Sequence, residues 1–98
     1  EGAHLVIEGA NDNAIVLQKS STLTCNDVEL RGKFQTALSA MSGSMFVGRF
    51  IGDVPGLAAS TSASINVEEL KGGGRITGPV AATRGAVVTL PDRTVRSE

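Results

Sequence analysis

Three times in this chain a glycine is followed by a basic residue and then a large apolar one: Gly32-Lys33-Phe34, Gly48-Arg49-Phe50 and Gly74-Arg75-Ile76. Each unit runs on through a variable, a small and a variable residue to an aliphatic one, at Leu38, Val54 and Val80. The 12 Gly and 9 Lys plus Arg among 98 residues would produce about one Gly-base pair by chance, so three with a shared continuation read as a repeat. In an extended chain the first apolar residue and the aliphatic one four places on share a face, the base points away, and glycine permits a corner. The repeat predicts two stacked columns: Phe34, Phe50 and Ile76, and Leu38, Val54 and Val80. Its spacing is uneven, from Gly32 to Gly48 and then to Gly74, so a solenoid would carry residues 57–64 as an insertion.

Gly or Pro interrupts nearly every window long enough for a helix, and short aliphatic runs lie between the interruptions. Residues 4–7 and 14–17 read as strands flanking a turn at residues 9–13, and 22–34 as strand, with the clearest alternation at Val28-Glu29-Leu30-Arg31. A short helix fits only residues 36–45, where Gly43 cuts it. Residues 45–54, 64–70, 75–81 and 85–90 read as further strands, 57–64 as a surface loop, and Pro55-Gly56 as a turn. The fold class is therefore all-β: a short-stranded β-sandwich or barrel, or a β-solenoid, with at most one short helix. Residues 1–98 make one β domain, with 93–98 a frayed polar tail. The expected core is Val6, Ile15, Leu17, Val28, Leu30, Phe34, Phe46, Phe50, Val54, Ile65, Val67, Ile76, Val80, Val87 and Leu90.

Such a core is thin. Hydrophobic residues make up 41% of the chain but aromatic ones only 3%, all of them Phe, so the largest single burials are scarce. A net charge of −1 with scattered Lys and Arg gives no basic stretch for a phosphate backbone, so nucleic acid is not an expected partner. No apolar run approaches the roughly 18 to 20 residues of a membrane-spanning helix. A numbering that opens at Glu1 suggests processing or trimming, which leaves a removed signal peptide open. Composition leans toward an exported or particle-surface protein, with a cytoplasmic filament as the alternative.

Residues that could carry chemistry do not assemble into a motif. Gly72-Gly73-Gly74 lacks the Lys-Ser/Thr continuation of a phosphate loop and reads as a flexible turn. Neither Ser42 nor Ser44 sits in a nucleophile elbow. His4, the only imidazole, reads as a solvated or strand-edge residue. Asp12, Asp27, Asp53, Asp92 and the adjacent Glu68-Glu69 lack the spacing of a calcium loop. Cys25, the only cysteine, reads as a small buried residue, with an intermolecular disulfide as the alternative. No catalytic, cofactor or metal residue is expected, and the chain reads as a non-enzyme.

The Gly-base-apolar units, together with the stretch from Gly74-Arg75-Ile76-Thr77-Gly78-Pro79-Val80 to Ala86-Val87-Val88, resemble the coils of bactofilins, polymer-forming β-solenoid cytoskeletal proteins. The likeness covers about half the chain. It implies a nucleotide-free filament built by coils stacking end to end.

These readings converge on a structural, self-assembling subunit of a coat, decoration, fibre or filament, with copies of itself or a larger protein shell as partner and a homo-oligomer as its form. The expected contact surface is the edges of residues 28–34 and 85–90, through Val28, Leu30, Phe34, Val87 and Leu90. The alternative is a monomeric β-sandwich module that holds a partner with loops 11–13 and 57–64.

Overall fold

A computed structural model describes residues 4–96, which form nine strands and no helix. They are β1 (His4–Leu17), β2 (Thr22–Thr24), β3 (Asp27–Ala40), β4 (Met45–Ile51), β5 (Leu57–Ser60), β6 (Ser64–Lys71), β7 (Val80–Thr83), β8 (Val87–Thr89) and β9 (Thr94–Arg96). All pairings among β1 to β8 are parallel, and all but that of β3 with β4 join strands that are not consecutive in sequence, which is the topology of a β-solenoid of about four turns.

The registers sort the strands into three stacks. The first places Leu23, Phe46, Ile65 and Val88 in one inward column, from β2, β4, β6 and β8. The second joins Leu5, Val28, Phe50 and Leu70. The third joins Ile15, Leu38, Leu57 and Val80, from β1, β3, β5 and β7. Parallel strands that bury apolar side chains level by level share one core, here including Phe46, Phe50, Leu38, Leu57, Ile65, Val28, Val54, Val67 and Val88, all under 2% exposed.

Four stacked turns carry the chain from the third stack back to the first. Lys19-Ser20, Ser42-Gly43, Thr61-Ser62 and Arg84-Gly85 all have positive φ at both residues. In each, the amide that follows donates to the carbonyl three residues back: Ser21 to Gln18, Ser44 to Met41, Ala63 to Ser60 and Ala86 to Thr83. Two positive-φ centres closed by such a bond are the signature of a type I′ turn. The turns also bond to one another, Ser20 N–H to Ser42 O at 2.9 Å, Gly43 to Thr61 at 3.0 Å and Ser62 to Arg84 at 3.0 Å, so each non-glycine strain is held by its neighbours. Small residues flank them, with Ala40, Ala59 and Ala82 before and Ser44, Ala63 and Ala86 after.

Gly48 makes the aromatic centre possible. Phe46, Gly48 and Phe50 all point inward from β4, and the two rings meet at 5.6 Å between centroids over the bare glycine. A Cβ on Gly48 would lie 2.7 Å from the Cys25 carbonyl oxygen and 2.9 Å from Phe46 Cζ.

Several expectations are corrected. The solenoid is confirmed as an all-β fold, and residues 36–45 form strand and turn rather than helix. Residues 9–13 do not form a turn: β1 runs through them, Gly9 pairing with Gly32. Residues 57–64 are not a surface loop, because β5 and the start of β6 lie there and Leu57, Ala59 and Ala63 are buried. Arg75 to Val80 contains one isolated bridge, Ile76 to Val54, before β7. The tail is ordered through Arg96 as β9, which pairs antiparallel with β8 at Val88 and Val95; Ser97 and Glu98 lie outside the described residues. The Gly-base units do not stack in the expected register: Phe50 lies on Val28 and Val54 bridges Ile76, and of the second expected column only Leu38 and Val80 share a stack, with Leu57 between them. Val6 is 41% exposed rather than buried, and Val88 rather than Val87 fills the core.

Candidate assembly interface

A strand in a solenoid has two edges, and each is satisfied by the coil above or below. The expected surface fails this requirement. β3 pairs with β1 on one edge and with β4 and β5 on the other, so Val28 is fully buried and carries no free edge. Leu30 and Phe34 are half-buried around a shallow groove with Lys33, Asp53, Pro55 and Thr77. β8 lies between β6 and β9, with Val87 half-buried; Leu90, just beyond, is buried and donates its N–H to Arg93 O at 2.7 Å. These five residues do not form one contact surface.

Unsatisfied edges occur at the ends of the stacks. Among the described residues, no strand pairs with the outer edge of β1 or of β2. Both expose backbone donors and acceptors, and Val6 (41%) and Val16 (45%) stand exposed on β1. Behind that edge Leu5, Ile7, Ala14, Leu17 and Leu23 pack against the core from one side only. At the opposite end the outer edges of β7 and of Glu69 to Lys71 in β6 are unpaired in the same sense. A groove of about 460 Å³ lies beside the latter, lined by Leu70, Ile76 and Leu90 among others.

The face built by β1, β3, β4 and β6 carries a charge ladder. Lys71 Nζ lies 2.8 Å from Asp27 Oδ1, and its hydrogen bond holds the Asp27 carboxyl below the usual carboxylate range. Arg31 Nε donates to Glu29 Oε2 at 3.0 Å, which lowers Glu29 and raises Arg31. His4 approaches Glu29 at 3.6 Å, Arg31 reaches Glu8 at 3.4 Å, and Arg49 sits 3.6 Å from Glu69. Except at Asp27, whose Oδ1 is shielded from solvent, these pairs are solvent-exposed on at least one side and worth little each, because water competes for the partners. They favour one register, since a slip would set like charges together.

Cys25 is buried, and burial pushes its thiol pKa up. His4 is exposed on β1. Among the described residues no three His, Cys, Asp or Glu side chains cluster as metal ligands, and no helix is long and apolar enough to cross a membrane. The stacked turns are not legible in the sequence, because only Ser42-Gly43 and Arg84-Gly85 contain glycine; their one signal is the alanine two places before and the small residue after three of the four pairs.

Comparison with protein-family models, with curated proteins and with solved structures returns no match, so the chain is characterised by its β-solenoid architecture and by the edges that architecture leaves unpaired.

Proposed function

We propose that this chain is a structural, self-associating β-solenoid subunit of the bactofilin-like kind, a component of a filament, fibre, coat or decorated shell with no catalytic role. The observation that carries this reading is the outer edge of β1, fourteen residues long, unpaired among the described residues and backed by half-buried aliphatic side chains. Such an edge templates another strand, and soluble proteins otherwise blunt it with proline, inward charge or a bulge. β1 contains no proline and no register break. Pairing with a copy of the chain, or with a larger protein shell, satisfies the backbone and completes burial of Leu5, Ile7 and Leu17 together.

The test is light scattering and thermal melting of the purified chain over a wide concentration range. Association that raises the melting temperature with concentration supports the reading. A monomer whose melting temperature is independent of concentration overturns it. The alternative of a monomeric module with binding loops has less support, because residues 11–13 lie within β1 and 57–60 are β5.

A further inference from the structure

The two ends of the solenoid differ in one respect that bears on how copies meet. In the first stack the inward column Leu23, Phe46, Ile65 and Val88 ends on Val95 of β9, which folds back antiparallel over β8. Thr94-Val95-Arg96 has the burial pattern of Thr22-Leu23-Thr24 at the opposite end: an exposed residue, a half-buried aliphatic and an exposed residue. β9 thus sits where the next parallel strand of this stack would lie, and it imitates β2.

Among the described residues the other two stacks end without such a cover, and they match the N-terminal coil in spacing. Leu70 and Val80 at the uncovered end are ten residues apart, as are Leu5 and Ile15 on β1, and as are Val28 and Leu38, the pair on which Leu5 and Ile15 already rest. The ladder matches too. His4 pairs with Asp27 and Arg49 with Glu69, while Val28 opposite Phe50 sets Asp27 beside Arg49, so base and acid alternate up the column to Glu69. A second copy's His4 over Glu69 continues that alternation, and its Leu5 covers the groove beside Leu70.

We propose that β9 is a displaceable cap: it occupies the place of a second copy's β2, and when it is displaced the C-terminal end of the solenoid takes the N-terminal end of another copy, head to tail. This inference rests on the reading of the chain as a self-associating subunit and assigns that association a polarity and a gate. A head-to-tail contact is heterologous and does not close on itself, so it grows an open filament. The cap is a three-residue antiparallel ladder held inward by one half-buried valine, as short as the β2–β4 ladder at the opposite end. Its exchange for β2 and β1 replaces that short ladder with parallel pairing along all three stacks.

The experiment compares three forms in a Cys25→Ala background by sedimentation velocity over a concentration series. They are the full chain, a chain ending at Asp92, and the full chain with Thr89→Cys and Thr94→Cys, opposed positions that an oxidised disulfide staples together. Removing β9 should lower the concentration needed for association about tenfold, the effect expected from half-burial of one valine. The oxidised staple should abolish association, and reduction should restore it. Mixing His4→Cys with Glu69→Cys chains should give a crosslink that neither gives alone. If the shortened chain loses its β circular dichroism, Val95→Asp in the full chain takes its place, with the same expected direction. A stapled chain that assembles like the full one, or a His4→Cys chain that crosslinks only to itself, overturns the cap and the polarity while leaving self-association standing. All three forms remaining monomeric overturns both.

Discussion

β1 and β4 are both apolar strands of this solenoid, yet they hold their side chains in different states. β4 lies between coils on both edges, and Phe46 and Phe50 are 0% and 1% exposed. Among the described residues β1 has one neighbour, and Leu5, Ile7 and Leu17 are only half-buried, while Val6 and Val16 face outward. The difference does not lie in hydrophobicity, since β1 is rich in Leu, Val and Ile. It lies in the number of coils stacked against each strand. In a solenoid each level buries the next, so a coil with a neighbour on one side only stays incompletely buried.

The sharpest way to break this comparison is at its buried pole. Phe50→Ala should cost about 3 to 5 kcal/mol in chemical denaturation, because the ring is enclosed by both neighbouring coils and by Phe46. A loss below about 1 kcal/mol would mean that β4 is no better packed than β1. Gly48→Ala tests the same centre from the opposite direction, by adding one carbon. With the Cys25 carbonyl 2.7 Å from the new Cβ, it should cost about 1 to 3 kcal/mol. Wild-type stability would show that the rings have room to move apart.

At the half-buried pole, Ile7→Ala should cost about 1 kcal/mol in dilute protein, since only part of the side chain leaves water. At concentrations where chains associate the loss should grow. Equal losses at both concentrations would separate β1 from any assembly contact.

The smallest expected effect lies in the ladder that ties β1 to β3 and β6. Asp27 and Glu29 have native pKa values held below those of the unfolded chain, about 3.9 and 4.3, by Lys71 and Arg31 respectively. Below their unfolded pKa the unfolded chain binds the proton first, so the stabilisation is complete above about pH 5 and is lost as pH falls through the native values. Melting temperature should therefore drop below about pH 4, and Asp27→Asn should make the drop shallower. A variant with an unchanged pH profile would show that Lys71 adds nothing to the ladder.

The strand class was legible residue by residue, and so was the stacked, repeating character of the chain. Val28-Glu29-Leu30-Arg31 alternates because one side of β3 faces the core, and Phe46, Gly48 and Phe50 share a parity that puts all three on one face of an extended chain. The register was not legible. Gly32, Gly48 and Gly74 look alike in sequence but serve different needs. Gly48 makes room for two rings inside a strand, whereas a Cβ on Gly32 or Gly74 would collide with the backbone of Gly9 or Gly52 in the adjacent coil. A repeat drawn through all three therefore aligns positions that never meet. The true period passes through Lys19-Ser20 and Thr61-Ser62, non-glycine residues with positive φ, a state that local preference disfavours and stacking imposes.

Composition and alternation by themselves determined that this protein is built of strands around a core of mainly aliphatic side chains with few aromatic ones, because those are local properties of an extended chain. Which residues stack, where the edges fall and which end is covered were decided only in the tertiary structure. Ala59 in the core and Val6 in solvent show the reason: burial in a solenoid depends on the coils above and below, and those neighbours lie about 20 residues away along the chain, beyond the reach of any local pattern.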